Sequence, residues 1–281
     1  MMIILDILSL LQAGFIQRAF MMSMIIAVLS SVLSIFIVLK KISLIGDGLA
    51  HTAFGGLALG YYLNIIPLWA AGVTVVFGSL GITKAMRSTK ISGDAAVAVF
   101  LQLGLSGGIV LLSVARGFGI NLESLLFGSV LLVTLDQIIA ALVVTGITLG
   151  VIFLFFKELV YVTFDETQAK AAGIRTWFFD YLISVLAGIV VIVSIPIVGI
   201  LLISALLVLP ALTSTQLSKS FRQTVILSPI IGLITVVSGM FISILIDAAP
   251  GGTIVLTGLA ILGIVFAAKR IQSLSARYCT N

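Results

Sequence analysis

Histidine and cysteine occur once each in these 281 residues, proline five times, and only 9% of the chain is charged. The lone histidine, His51, excludes bis-histidine haem ligation, a His-Glu-x-x-His metalloprotease and a di-iron centre of Glu-x-x-His pairs, each of which needs at least two. The lone cysteine, Cys279, excludes an intrachain disulfide. No Gly-x-x-x-x-Gly-Lys-Ser/Thr phosphate loop is found, so an energy-consuming step would have to draw on another chain or on an ion gradient. Ser79, Ser106 and Ser204 are available to an intramembrane protease, but nothing marks any of them as a nucleophile.

What is present is apolar. Hydrophobic residues make up 61% of the chain and the mean hydropathy is +1.35, whereas soluble domains carry about a quarter charged residues. The composition predicts an all-α integral membrane protein, with lipid around it. Apolar stretches run through the whole length, so the first is read as a span rather than a removable signal peptide, and 1–281 as a single transmembrane domain. The net charge of +5 is explained by loop topology and implies no nucleic-acid partner.

A helix needs about 20 apolar residues to cross the hydrocarbon, and cytoplasmic loops collect Lys and Arg. These rules predict a polytopic bundle of about nine spans, near 20–39, 48–66, 67–86, 94–115, 138–156, 177–195, 197–217, 223–246 and 252–268. Lys40 and Lys41; Lys84, Arg87 and Lys90; Lys157, Lys170 and Arg175; Lys219 and Arg222; and Lys269, Arg270 and Arg277 then fall in every second connection. Only Arg18 and Arg116 fall on the other side. The N-terminus is thereby predicted outside and the C-terminus in the cytoplasm. Pro196, Gly199 and Pro210 crowd the seventh span, which allows eight crossings plus a short or re-entrant helix. Residues 1–17 and the segment Asn121 to Leu132, which contains Glu123, read as interfacial or short helices. Asp94 reads as a helix cap and Asp247 as an outer turn residue. Glu123 and Asp136 fall in the outer connection. Gly56-x-x-x-Gly60, Gly104-x-x-x-Gly108 and Gly146-x-x-x-Gly150 have the spacing of close helix packing.

Against this background Asp47 and His51 stand out. They lie four residues apart in Gly46-Asp47-Gly48-Leu49-Ala50-His51-Thr52, so on a helix they share one face. Zinc takes imidazole nitrogen together with carboxylate oxygen, and manganese accepts the same set with more oxygen. Two ligands make an incomplete site, completed by water, by other polar groups or by a second copy across a two-fold axis. A weak site suits transport, because the ion must also leave. Spacing alone favours a plain alternative, in which Asp47 bonds a helix N-terminus and a neighbouring helix satisfies His51.

The longest cytoplasmic connection, 157–175, reads as a built element. Asp165 and Glu166 open a helix-favouring stretch, Ala169, Ala171 and Ala172 sustain it, and Gly173 ends it. Flanked by Phe164 and Ile174, such a helix could lie at the membrane surface and enter a groove on a partner, or be an ordinary amphipathic loop.

Taken together these segments resemble the permease subunits of ATP-binding-cassette importers for zinc and manganese. The resemblance is carried by Phe15-Ile16-Gln17-Arg18-Ala19-Phe20; by Leu39 through His51, similar to the family's Gly/Ser-Asp-x-x-Ser/Ala-His signature; by Phe164-Asp165-Glu166 through Gly173; and by Val198-Gly199-Ile200-Leu201-Leu202 through Leu209-Pro210-Ala211. Ala50 stands where many members carry serine. The resemblance implies a homodimeric permease in the cytoplasmic membrane that is not itself an enzyme. It would have a cytosolic ATP-binding subunit docked on each coupling segment and an extracellular metal-binding protein delivering the ion. It implies Asp47 and His51 as the metal-contacting pair, and Phe164, Asp165, Glu166, Ala169 and Gly173 as the ATPase-coupling residues. No cofactor would be bound permanently; the cargo would be Zn2+ or Mn2+. Leu126-Phe127-Gly128-Ser129 and Thr163-Phe164-Asp165-Glu166 favour the zinc branch. The rivals are a gradient-driven secondary transporter or channel, with Asp47 or His51 as a proton relay, and a scaffold subunit of a larger membrane assembly.

Overall fold

The computed structural model describes residues 13–88, 92–115, 126, 128, 133–200 and 203–278, with side chains as far as 271. Among these residues there are helices and no strand. In chain order the helices are α1 (Gly14–Leu39), α2 (Ile45–Tyr62), α3 (Pro67–Met86), α4 (Gly93–Val114), α5 (Leu135–Leu154), α6 (Phe156–Phe164), α7 (Glu166–Ala171), α8 (Thr176–Val198), α9 (Ile203–Leu206), α10 (Leu209–Leu217), α11 (Phe221–Ile246) and α12 (Pro250–Tyr278). Their boundaries follow local chemistry. Ser92 and Ser220 cap α4 and α11 through their side chains, and Thr134 forms a capping box with Gln137 at α5. Pro67 stands at the start of α3, where its missing N–H costs nothing. Lys41, Asn64 and Asp247 adopt left-handed backbone at three turns. Asp247 is thus the turn residue expected of it, whereas the cap of α4 is Ser92, with Asp94 in the first turn.

Among the described residues seven helices are long and apolar enough to cross a membrane: α1, α3, α4, α5, α8, α11 and α12. The two remaining expected spans depart from the rule for different reasons. Helix α2 is diluted by Asp47, His51 and its glycines, and it need not be apolar because it is wrapped by α3, α4 and α8 rather than by lipid. The span expected at 197–217 is broken into α9 and α10. Gly199 ends α8 at φ +76°, and Pro210 restarts the chain at the head of α10. Backbone freed by the break is satisfied from α1: the Ala211 N–H donates to Ser34 Oγ at 3.2 Å, and that hydroxyl donates to the Val208 carbonyl at 3.5 Å. From Gly14 onward the N-terminal segment belongs to the first span rather than to an interfacial helix, while residues 1–12 lie outside the described residues. The same is true of Asn121 to Leu132, apart from Leu126 and Gly128.

Helix α1 is the hub of the bundle, in contact with α5, α8, α10 and α11. One core gathers Phe36, Leu49, Ile82, Val97, Ile183 and Val190, and a second gathers Met22, Ile26, Val236, Met240 and Ile254. Lipid supplies no hydrophobic drive between helices, so close approach must hold them. At Gly104 the approach is backbone to backbone: a Cβ there would lie 2.6 Å from the carbonyl carbon of His51 and 2.7 Å from the Thr52 nitrogen. Gly56 and Gly60 meet the Cα atoms of Ala71 and Pro67 in the same way, each at 2.6 Å from a built Cβ. Gly146 and Gly150 face open space instead, so their spacing marks no packing contact among the described residues.

Candidate functional site

Helix α2 begins after the tight turn 40–44, where Lys41 is left-handed and the Ile42 N–H reaches back to the Ile37 carbonyl at 3.1 Å. Asp47 lies in its first turn, where the helix dipole favours a carboxylate. The N-cap residue, Leu44, has no side chain that could cap this helix. Among the described residues its carboxylate makes no hydrogen bond or ion pair. His51, one turn on, has its Nδ1 buried without a hydrogen-bond partner. Gly104 abuts the His51 peptide, and Thr52 Oγ1 is tied to the Gly48 carbonyl at 2.7 Å and packed against Gly78. The backbone carrying the pair is therefore clamped between α3 and α4, while neither the Asp47 carboxylate nor the His51 Nδ1 has a hydrogen-bond partner among the described residues. No group of three or more His, Cys, Asp or Glu side chains is found among the described residues. A metal held here would need ligands beyond these two.

The 157–175 connection folds into α6 and α7. Asp165 caps α7 by accepting the Gln168 N–H at 2.9 Å, and Gly173 ends it at φ +82°. Phe164 is 61% exposed, and its ring meets Phe221 of α11 at 5.3 Å. Ala169 is fully buried. It seats α7 on the bundle: on so short a helix one face must anchor, and alanine is the residue that fits against the core. Glu166 accepts from Lys170 at 2.7 Å and from Thr176 at 3.2 Å, with Arg87 at 3.9 Å. The hydrogen bond from Lys170, foremost, holds the Glu166 carboxyl below the usual carboxylate range, although partial burial opposes it.

A third constellation has no counterpart in the sequence reading. Asp180, in the second turn of α8, pairs with Lys40 at the end of α1 and with Arg87 at the end of α3. Lys40 and Asp180 side chains are only 11% and 17% exposed. Behind them Ser184 Oγ donates to the Asp180 carbonyl at 3.0 Å and accepts from Thr83 Oγ1 at 2.6 Å. Lys40, Arg87, Glu166, Lys170 and Asp180 line a cavity of about 370 Å³. The signal was available: a carboxylate inside an apolar span needs a cation, and two expected loops offered one. Asp180 falls inside the span expected at 177–195, and position along the chain alone does not show which cations of other helices reach it.

Residues 12–269 match the family model described as "ABC 3 transport family". Two relatives are similar over nearly their whole lengths. The "Manganese transport system membrane protein MntC" of Halalkalibacterium halodurans is 28% identical over 96% of this chain and 92% of its own. The "Manganese import system permease protein ScaB" of Streptococcus gordonii is 32% identical over 90% of each. Among solved structures, "PsaBC from Streptococcus pneumoniae in complex with Fab" superposes with a TM-score of 0.83 at 31% identity, covering 94% of this chain and 95% of that one. With its apolar spans and its full-length match, the chain is a multi-pass membrane permease and belongs to the ABC 3 transport family.

Proposed function

We propose that the chain is the membrane-spanning permease of an ATP-driven importer for a divalent transition metal, with Asp47 and His51 contacting the ion. The observation that carries this is the pair's state: among the described residues, the buried Nδ1 of the chain's one imidazole has no hydrogen-bond partner and the carboxylate one turn away makes no hydrogen bond or ion pair, on a helix walled in by other helices. Leaving such groups unsatisfied costs free energy, and a passing cation offsets that cost. Two ligands per chain are too few, and a second copy related by a two-fold axis would double them.

Manganese is the favoured cargo. The sequence favours zinc on two short segments, but two of the relatives matching over nine-tenths of the chain carry manganese in their names, and the ligand set accepts either ion. The cytosolic ATPase would dock on the exposed face around α7, with Phe164, Glu166 and Gly173 outward, Asp165 as cap and Ala169 as anchor. The end of the bundle bearing Lys40, Arg87 and Lys170 is then cytoplasmic, an extracellular metal-binding protein serves the other end, and the N-terminus lies outside. Element-by-element metal content of cells with and without this chain tests the reading. Loss of manganese uptake is expected; loss of zinc alone reverses the cargo, and unchanged content of every divalent metal refutes transport. Purification from native membranes should bring an ATP-binding subunit along, and its absence would favour a gradient-driven transporter.

A further inference from the structure

We infer that Asp180 is a positioning residue that links the coupling helix to the helix carrying the metal pair; the inference rests on the proposed function above and assigns the route by which the two sites communicate. Three elements meet at this one carboxylate. Lys40 ends α1 and opens the tight turn into α2, so that Asp47 follows within the first turn of the next helix. Arg87 ends α3, whose Ala71, Thr74 and Gly78 pack directly on α2. Asp180 itself lies in α8, which leaves the coupling helix α7 after the short link 172–175. Both flanks of α2 are thus tied to the start of α8. Arg87 also faces Glu166 of α7 at 3.9 Å, and Glu166 is bonded to Thr176, the first residue of α8. A push on α7 therefore reaches α1, α3 and α8 through a shared set of charges.

Burial makes the tie stiff. A largely buried carboxylate that lost both cations would leave an uncompensated charge, so α8 and the ends of α1 and α3 are held to move together. The cavity beside the cluster gives the side chains of Arg87 and Lys170 room to change partners between Asp180 and Glu166 without dragging the packed core. Two carboxylates sharing neighbouring cations across a cavity form an element with more than one arrangement, as coupling requires.

The test uses the permease assembled with its ATP-binding subunit in lipid vesicles, reading metal accumulated per ATP hydrolysed. Asp180→Asn is expected to keep assembly and ATP hydrolysis but to lower that ratio about tenfold, within the usual range of coupling energies, and Asp180→Glu to restore part of it. Arg87→Gln, which leaves Asp180 paired with Lys40, is expected to lower the ratio as well and decides the matter if Asp180→Asn does not fold. A wild-type ratio in Arg87→Gln overturns the inference. Loss of assembly and hydrolysis in parallel with transport in that variant also overturns it, by reducing the cluster to scaffolding. An unmodified chain that purifies with no ATP-binding subunit refutes the underlying function, a result visible before any variant is made.

Discussion

Replacing Gly104 by alanine tests how tightly the helix bearing Asp47 and His51 is held. A Cβ at 104 would stand 2.6 Å from the His51 carbonyl carbon, whereas carbons rest at about 3.5 Å, so α2 and α4 must part by about 0.9 Å at the peptide that follows His51. The obstacle is backbone, and no rotamer change relieves it. Overpacking of this kind costs about 1–3 kcal/mol, while alanine returns roughly 0.5–1 kcal/mol in a helix interior. Gly107→Ala, one turn along the same helix, isolates the packing effect: nothing lies within 4 Å of a Cβ there, so it gains the same propensity without the clash. The two variants should differ by about 1–3 kcal/mol in reversible unfolding from mixed micelles, with metal uptake reduced in Gly104→Ala alone. Equal stability and equal uptake in both would refute the idea that this contact positions the pair.

The parts legible in the sequence are those governed by local rules. Apolar length placed the seven long spans, and the alternation of basic residues brought Lys40, Arg87 and Lys170 to one end of the bundle. The break near Gly199 and Pro210 was legible because proline and positive-φ glycine act on their own backbone. The capped helix at Asp165 was legible for the same reason. What escaped depends on which helices touch. Gly104 and Gly146 have the same four-residue spacing to a second glycine, yet only Gly104 meets a neighbour, a difference set by which way each helix faces in the bundle. Ala169 reads as a helix former anywhere, and only the fold turns it inward. Asp180 is invisible as a hub until α1, α3 and α8 are brought together, since its two partners are 140 and 93 residues away.

Three further outcomes are expected. Asp47→Ala should abolish metal uptake while the ATP-binding subunit still co-purifies; undiminished uptake in that variant would remove Asp47 from the path. Ser34→Ala strips the broken segment 207–211 of its hydroxyl partner and should cost about 1–3 kcal/mol in micelle unfolding, the penalty of an orphaned buried donor, whereas Ser30→Ala, whose hydroxyl bonds only within its own helix at the Ala27 carbonyl, should cost less. Matching losses would sink the satisfaction argument. The last concerns pH and helix α7. Because Lys170, Thr176 and Arg87 lower the Glu166 pKa in the folded chain, folding favours the carboxylate. That stabilisation is fully present above the unfolded value of about 4.3 and is lost as pH falls through the depressed folded value. Emission of Trp177, beside Thr176, in a Trp69→Phe background should therefore show an acid transition lying below the ordinary glutamate range. In Glu166→Gln the same helix is anchored less firmly at neutral pH, but it has no carboxylate to protonate, so this transition should disappear. Its persistence at the same pH in the glutamine variant would assign the titration to another group, and the contacts of Glu166 would then not be what fixes α7 to α8.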